Sequence, residues 1–163
     1  MTKKFTIRGT QFRVAKKDIL IDIYDEEKKE IQKDVVVGWV SLRGEDDPIY
    51  QRRVAPAMVE YHEEIDIARQ EIAEIREEAE KAKIEKPDIK IPQEKLRKAM
   101  EVFMYEAVVA AIEDWDVDFF ESEFNHENAV ALFSDPSNNN IYNQLAAYMK
   151  ERTDFLPLAK EKQ

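Results

Sequence analysis

The chain has no cysteine. Disulfides and thiolate zinc sites are therefore excluded, a composition compatible with a reducing cytoplasm. Glycine is nearly as scarce: Gly9, Gly38 and Gly44 are the only three. They lie too far apart to build a phosphate-cradling loop, or a nucleophile elbow around Ser41, Ser122, Ser134 or Ser137. The two histidines, His62 and His126, begin no H-E-x-x-H pair, because His62-Glu63-Glu64 runs on to Asp66. No apolar run approaches the roughly 18–20 residues that span a bilayer. The opening MTKKFTIRGTQFRV carries lysines without the apolar run of a signal peptide, so secretion is not expected.

Basic residues are also in deficit, 25 against 35 acidic, for a formal charge of −10. That disfavours nonspecific binding to nucleic acid or an anionic membrane. Paired carboxylates are abundant, as in any acidic chain, and carry no catalytic signal of their own. Asp114, Asp116 and Asp118 match the start of a calcium loop, but its glycine position holds Phe119 and its closing glutamate position Asn125. The residues thus predict no enzyme, no metal and no cofactor.

With 44% hydrophobic and 37% charged residues over 163 positions, the chain reads as one globular α+β domain, mostly α. A domain of this size buries roughly 68–70% of its unfolded surface without a staple. Residues 1–44 form a β-rich part. Ile19, Ile21 and Ile23 alternate with Leu20, Asp22 and Tyr24, and Val35 to Leu42 makes a second strand, giving a hairpin across the charged loop Asp25 to Asp34. Phe5 to Ile7 and Gln11 to Val14 are candidates for further short strands, with Gly9 at a turn.

Residues 46–115 read as a helical hairpin. Asp46-Asp47-Pro48 announces a helix start, and Pro56 should kink or restart that helix. From Met58 through Tyr61, Ile65, Ala68, Ile72, Ile75, Ala79 and Ala82, apolar residues step by three and four, a heptad seam for a partner helix. KPDIKIP (Lys86 to Pro92) makes the turn, and the second helix starts at Gln93. Its stretch LRKAMEVFMYEAVVAAIEDW (Leu96 to Trp115) is the least polar run of its length. A helix apolar around so much of its circumference is expected to be buried on several sides.

Residues 116–156 form an aromatic-rich helical part. It holds a short helix capped by Asn125, a second cap-then-proline signal at Asp135-Pro136, and a last helix with Ile141, Leu145, Tyr148 and Met149 on one face. Residues 157–163 read as a tail whose last five residues are disordered. Trp115, Phe119, Phe120, Phe124, Phe133, Tyr142, Tyr148 and Phe155 crowd together in sequence. Core packing is the default reading, and a partner-binding patch the alternative. Candidate partner-binding residues are Trp115, Phe119, Phe120, Phe124, Tyr142 and Phe155, with Ile65, Ile72 and Ile75 of the seam. The seam and the unshielded hairpin edge also leave self-association open.

The order of these segments resembles phage tail assembly chaperones encoded between tail tube and tape measure genes. Three blocks carry the likeness: LRGEDDPIYQRR (Leu42 to Arg53), a hydrophobic helix closing in tryptophan (VVAAIEDW), and FNHENAVALFSDPSNNNIYNQLAAYMKERTDF (Phe124 to Phe155). Together they span roughly residues 19–156. The chain departs from the pattern where Asp47-Pro48 replaces a serine, and where DWDVDFFESEF is more acidic and aromatic than the expected glycine-containing turn. The resemblance implies a protein of the host cytoplasm, absent from the mature virion. It would coat the tape measure protein and recruit tail tube subunits, with no chemistry. A programmed frameshift extends many relatives at the C-terminus. Two rival classes are a structural virion protein, such as a tail completion or connector subunit, and an acidic inhibitor that mimics nucleic acid.

Overall fold

The computed structural model describes residues 12–156. The strand and turn expected at Phe5 to Ile7 and Gly9, and the tail at 157–163, lie outside them. The class is α+β: three antiparallel strands, two long helices and a run of short C-terminal helices. Two compact units are present, residues 1–51 with 108–163, and residues 52–107.

In the first unit, β1 (Ala15–Asp25) pairs with β2 (Glu30–Leu42), so both strands reach further into the charged segment than the alternation predicts. The turn is tight. The Asp25 carboxylate accepts from the backbone N–H groups of Glu27 and Lys28 at 3.0 and 3.2 Å, and Lys29 takes a left-handed φ of 51°. Further down the ladder Asp34 is left-handed at φ 55° and donates its N–H to the Asp22 carboxylate at 3.0 Å. This bulge accounts for one of the two register irregularities and adds local twist.

The third strand was not legible. The apolar run expected to stay helical through Trp115 leaves the helix at Ala111, and Ile112–Trp115 pairs with β2 as β3. Ile112 and Trp115 are three apart, a helical spacing, yet both are buried. A bulge permits this. Leu42 pairs with Ile112 while Ser41 pairs with Asp114, so Glu113 is the extra residue and the pleat regains its phase at Trp115. Unpaired backbone groups at the β2 edge thus outweigh the local helical pattern.

α3 (Val117–Phe120), α4 (His126–Ser134), a 3-10 turn (Pro136–Asn138), α5 (Asn139–Met149) and α6 (Arg152–Phe155) complete this unit, more helices than the pattern predicts. Their starts follow the cap signals. Asn125 accepts from Asn128 N–H at 2.8 Å, and Asp135 from Ser137 N–H at 3.0 Å. α5 lies along β1. The Gln144 side chain donates to the Leu20 carbonyl at 2.7 Å and accepts from the Leu20 N–H at 2.9 Å, and the Tyr148 hydroxyl donates to the Asp18 carbonyl at 2.8 Å. The expected free edge is thereby closed over part of its length.

Residues 52–107 form the antiparallel helical hairpin, the larger part of α1 (Pro48–Lys81) and α2 (Lys90–Ala111). α1 runs unbroken through Pro56, so of the kink or restart expected there the restart does not occur; the ring deletes one N–H donor, and the turns on either side hold. α1 ends before Ala82, the last predicted seam position. α2 begins at Lys90 rather than Gln93 and takes Pro92 into its first turn, where no intrahelical N–H is needed. Tyr61 stacks on Phe103 with ring centroids 4.9 Å apart, and Lys95 pairs with Glu71 at 2.9 Å. The seam is real, but burial is thin: on α1 only Val54, Ala68 and Ala79 are fully buried.

Candidate interaction surfaces

The aromatic residues converge in the first unit. Trp115, 1% exposed, stacks on Phe120 at 4.3 Å and meets Phe124 edge-on at 5.3 Å. Its indole N–H donates to the Ser122 carbonyl at 2.8 Å, so the buried polar edge is satisfied. Phe119 meets Phe120 edge-on at 4.9 Å and lies against Gly38, where an added Cβ would sit 2.8 Å from Phe119 Cβ. Gly44 does the same for Phe155: a Cβ there would lie 2.8 Å from three Phe155 atoms. Both glycines are needed for close approach. Tyr142 packs edge-on against Phe133 at 6.0 Å.

Trp115, Phe120, Tyr142 and Phe155 are buried, while Phe119 and Phe124 are half-buried. In this fold Trp115, Phe120, Tyr142 and Phe155 pack as core, the default reading, while Phe119 and Phe124 keep part of their surface open. Ile65, Ile72 and Ile75 are half-buried along the seam, apart in the chain's second unit from the aromatic group.

Ion pairs anchor the start of α1 and the C-terminal turn. Asp47, 2% exposed, accepts from Ile49 N–H at 2.8 Å and from the Arg43 guanidinium at 3.0 Å; Arg43 also donates to Glu113. Burial works against the guanidinium charge, but the hydrogen bonds to Glu113 and Asp47 outweigh it and raise the Arg43 pKa. Lys17 pairs with Glu151 at 2.9 Å and with Asp154. Its hydrogen bond to Asp154 holds that carboxyl below the ordinary range. These groups pair with one another within the fold. Asp116 caps α3 through Asp118 N–H at 3.1 Å, and Asp114 accepts from Trp115 N–H at 2.8 Å. Among the described residues, no group of three or more His, Cys, Asp or Glu is placed to hold a metal ion, and no helix is long and apolar enough to cross a membrane.

Large apolar side chains are instead exposed at two places, and these include Met58, the first position of the predicted seam, and Ile23 of the predicted strand alternation. One is the far half of the β-hairpin, with Ile23, Tyr24, Ile31 and Val36. The other is the helical hairpin: Met58, Val59 and Ile67 on α1, and Ile91, Met100, Val102 and Met104 on α2. The apolar helix expected to be enclosed is thus open along residues 100–104, and Met100 is 48% exposed. The stripe is wider than one antiparallel partner can cover, and its width alone does not say how many neighbours it has. No family model, curated protein or solved structure matches the chain.

Proposed function

We propose that the chain is a phage tail assembly chaperone that binds the tape measure protein and recruits tail tube subunits, without catalysis. One observation carries this reading. The helical hairpin holds Met58, Met100, Val102 and Met104 exposed on helices otherwise dense in Glu, Lys and Arg. A holdase needs such a surface: apolar groups to engage an aggregation-prone helix, a charged surround to stay soluble, and flexible methionines to fit varied partners. The ordered likeness of Leu42 to Arg53, the helix leading into Trp115, and Phe124 to Phe155 to that family supports the same role. The partner surface proposed here is the exposed helical hairpin, while the aromatic cluster supports the fold.

Co-expression with the neighbouring tape measure and tail tube proteins is the test. The expected result is a soluble tape measure that co-purifies with this chain, and finished tails that lack it. Presence in purified particles without binding to either protein would replace this reading with a structural virion role.

A further inference from the structure

The sheet has three stretches of outer edge, and they are guarded unequally. β3 is four residues long and carries the Glu113 bulge; short, bulged edges pair poorly with outside strands. The edge of β2 beyond β3 is interrupted twice. Between Ile19 and Leu20 the register passes from Gly38 to Val36, and between Ile21 and Ile23 from Val35 to Gln32. Both extra residues therefore lie on β2. Lys33 stands at the second bulge, and lysine blunts an edge further. β1 carries neither device. Its alternation is unbroken, and from Asp18 to Glu27 the chain holds no basic residue.

Leu20 fixes the direction of that alternation. Gln144 of α5 takes both its backbone groups, so they point away from β2. Successive residues of an antiparallel strand turn their N–H and C=O groups to opposite edges. Asp22 and Tyr24 share the phase of Leu20, and their backbone groups point outward beyond it. Side chains there sort by face: Ile21 and Ile23 on one, Leu20, Asp22 and Tyr24 on the other, with Ile23 and Tyr24 exposed. The charge on this arm has one sign, from Asp18, Asp22, Asp25, Glu26 and Glu27. Asp22 and Asp25 are held in place by backbone N–H groups of the hairpin. The nearest lysines in the turn, Lys28 and Lys29, lead into the other arm.

We propose that the open edge of β1 at Asp22 and Tyr24 accepts an extended segment of a partner protein in which apolar residues alternate with lysine or arginine. Added as a strand, the segment continues the sheet through main-chain hydrogen bonds. Its apolar side chains lie beside Ile21 and Ile23, and its cations beside Asp22. An arginine in that row also reaches the Tyr24 ring. The carboxylates admit this partner and disfavour an acidic one, including β1 of a second copy. The inference does not rest on the chaperone reading, whose partner surface is the helical hairpin.

The probe is a short end-capped peptide of alternating valine and lysine, titrated into the full chain by fluorescence anisotropy and located by amide hydrogen exchange. It should bind, more weakly as salt is added, and the Asp22 and Tyr24 amides should gain protection. A peptide with glutamate for lysine should bind about tenfold more weakly or worse. Tyr24→Pro deletes one outward N–H and leaves the β1–β2 ladder its donors. It should weaken binding by about tenfold, whereas Tyr24→Thr should keep most of it. Methylating the peptide's backbone nitrogens should abolish binding to the natural chain, a result that does not depend on how Tyr24→Pro folds. No binding, equal binding of the glutamate or methylated peptide, undiminished binding to Tyr24→Pro, or protection only away from Asp22 and Tyr24 would each overturn the proposal. So would a lower sedimentation mass for Tyr24→Pro without peptide, since the occupant would then be a second copy.

Discussion

The two compact units solve the same problem with different materials. Residues 12–51 and 108–156 enclose whole large side chains: Trp115, Phe133, Ile19, Leu42, Ile112 and Leu145 are all sealed from solvent. The helical hairpin, residues 52–107, fully buries little on its first arm beyond Val54 and two alanines. It relies on half-buried Tyr61, Ile65, Ile72, Leu96 and Phe103, and on surface ion pairs such as Arg97 with Glu94 and Glu101. Exposed pairs contribute only about 0–1 kcal/mol each. A core that excludes water fixes one arrangement of its side chains. A seam with open flanks keeps apolar surface in reach of a partner, at a cost in local stability.

The comparison can be broken most directly at Trp115. Trp115→Ala should destabilise the chain by about 3–5 kcal/mol, as for large aromatic truncations in a closed core; chemical denaturation measures it, and a loss under 1 kcal/mol would mean that the cluster is not the keystone of its unit. Gly44→Val should cost about 1–3 kcal/mol by forcing Phe155 out of contact, read as a lower thermal midpoint. Asp47→Ala removes the cap of α1, worth about 1 kcal/mol, and leaves the Arg43 guanidinium short of one partner, whereas Asp47→Asn should retain part of the cap.

Smaller effects sharpen the contrast. Because Lys17 depresses the pKa of Asp154, the pair's contribution is present above the unfolded carboxylate value of about 3.9 and is lost as pH falls through the lower folded value. Stability should therefore fall less steeply with acidification in Lys17→Met than in the natural chain, a difference seen in denaturant midpoints between neutral pH and pH 3. The smallest change is expected at Met100→Glu, within about 0.5 kcal/mol. A loss approaching that of Trp115→Ala would show that the hairpin's flank is as closed as the core.

Much of this architecture was legible. The alternation of Ile19, Ile21 and Ile23, the heptad steps from Met58, and the caps at Asp47, Asn125 and Asp135 each act through local chemistry, and each names its element. What escaped depends on partners distant in sequence. β3 exists because β2 has an edge to satisfy and Glu113 can bulge; nothing within IEDW itself specifies that. The aromatic group was read correctly as a cluster, but its burial is decided by Gly38 and Gly44, far upstream, which admit Phe119 and Phe155. Exposure at Met100 and Val102 was hidden for the converse reason: a broad apolar stripe does not say how many neighbours will cover it.

Gln144 carries a primary amide that presents one donor and one acceptor to Leu20, the same pair that a neighbouring strand would offer. A helix thus lends the sheet a single surrogate peptide group, and beside it the Tyr148 hydroxyl blocks the carbonyl of Asp18. Strand addition from outside cannot begin on that stretch of β1. On β1 the open edge starts beyond Leu20, where Ile23 and Tyr24 are exposed. Two side chains of one helix therefore mark where the covered part of β1's edge ends.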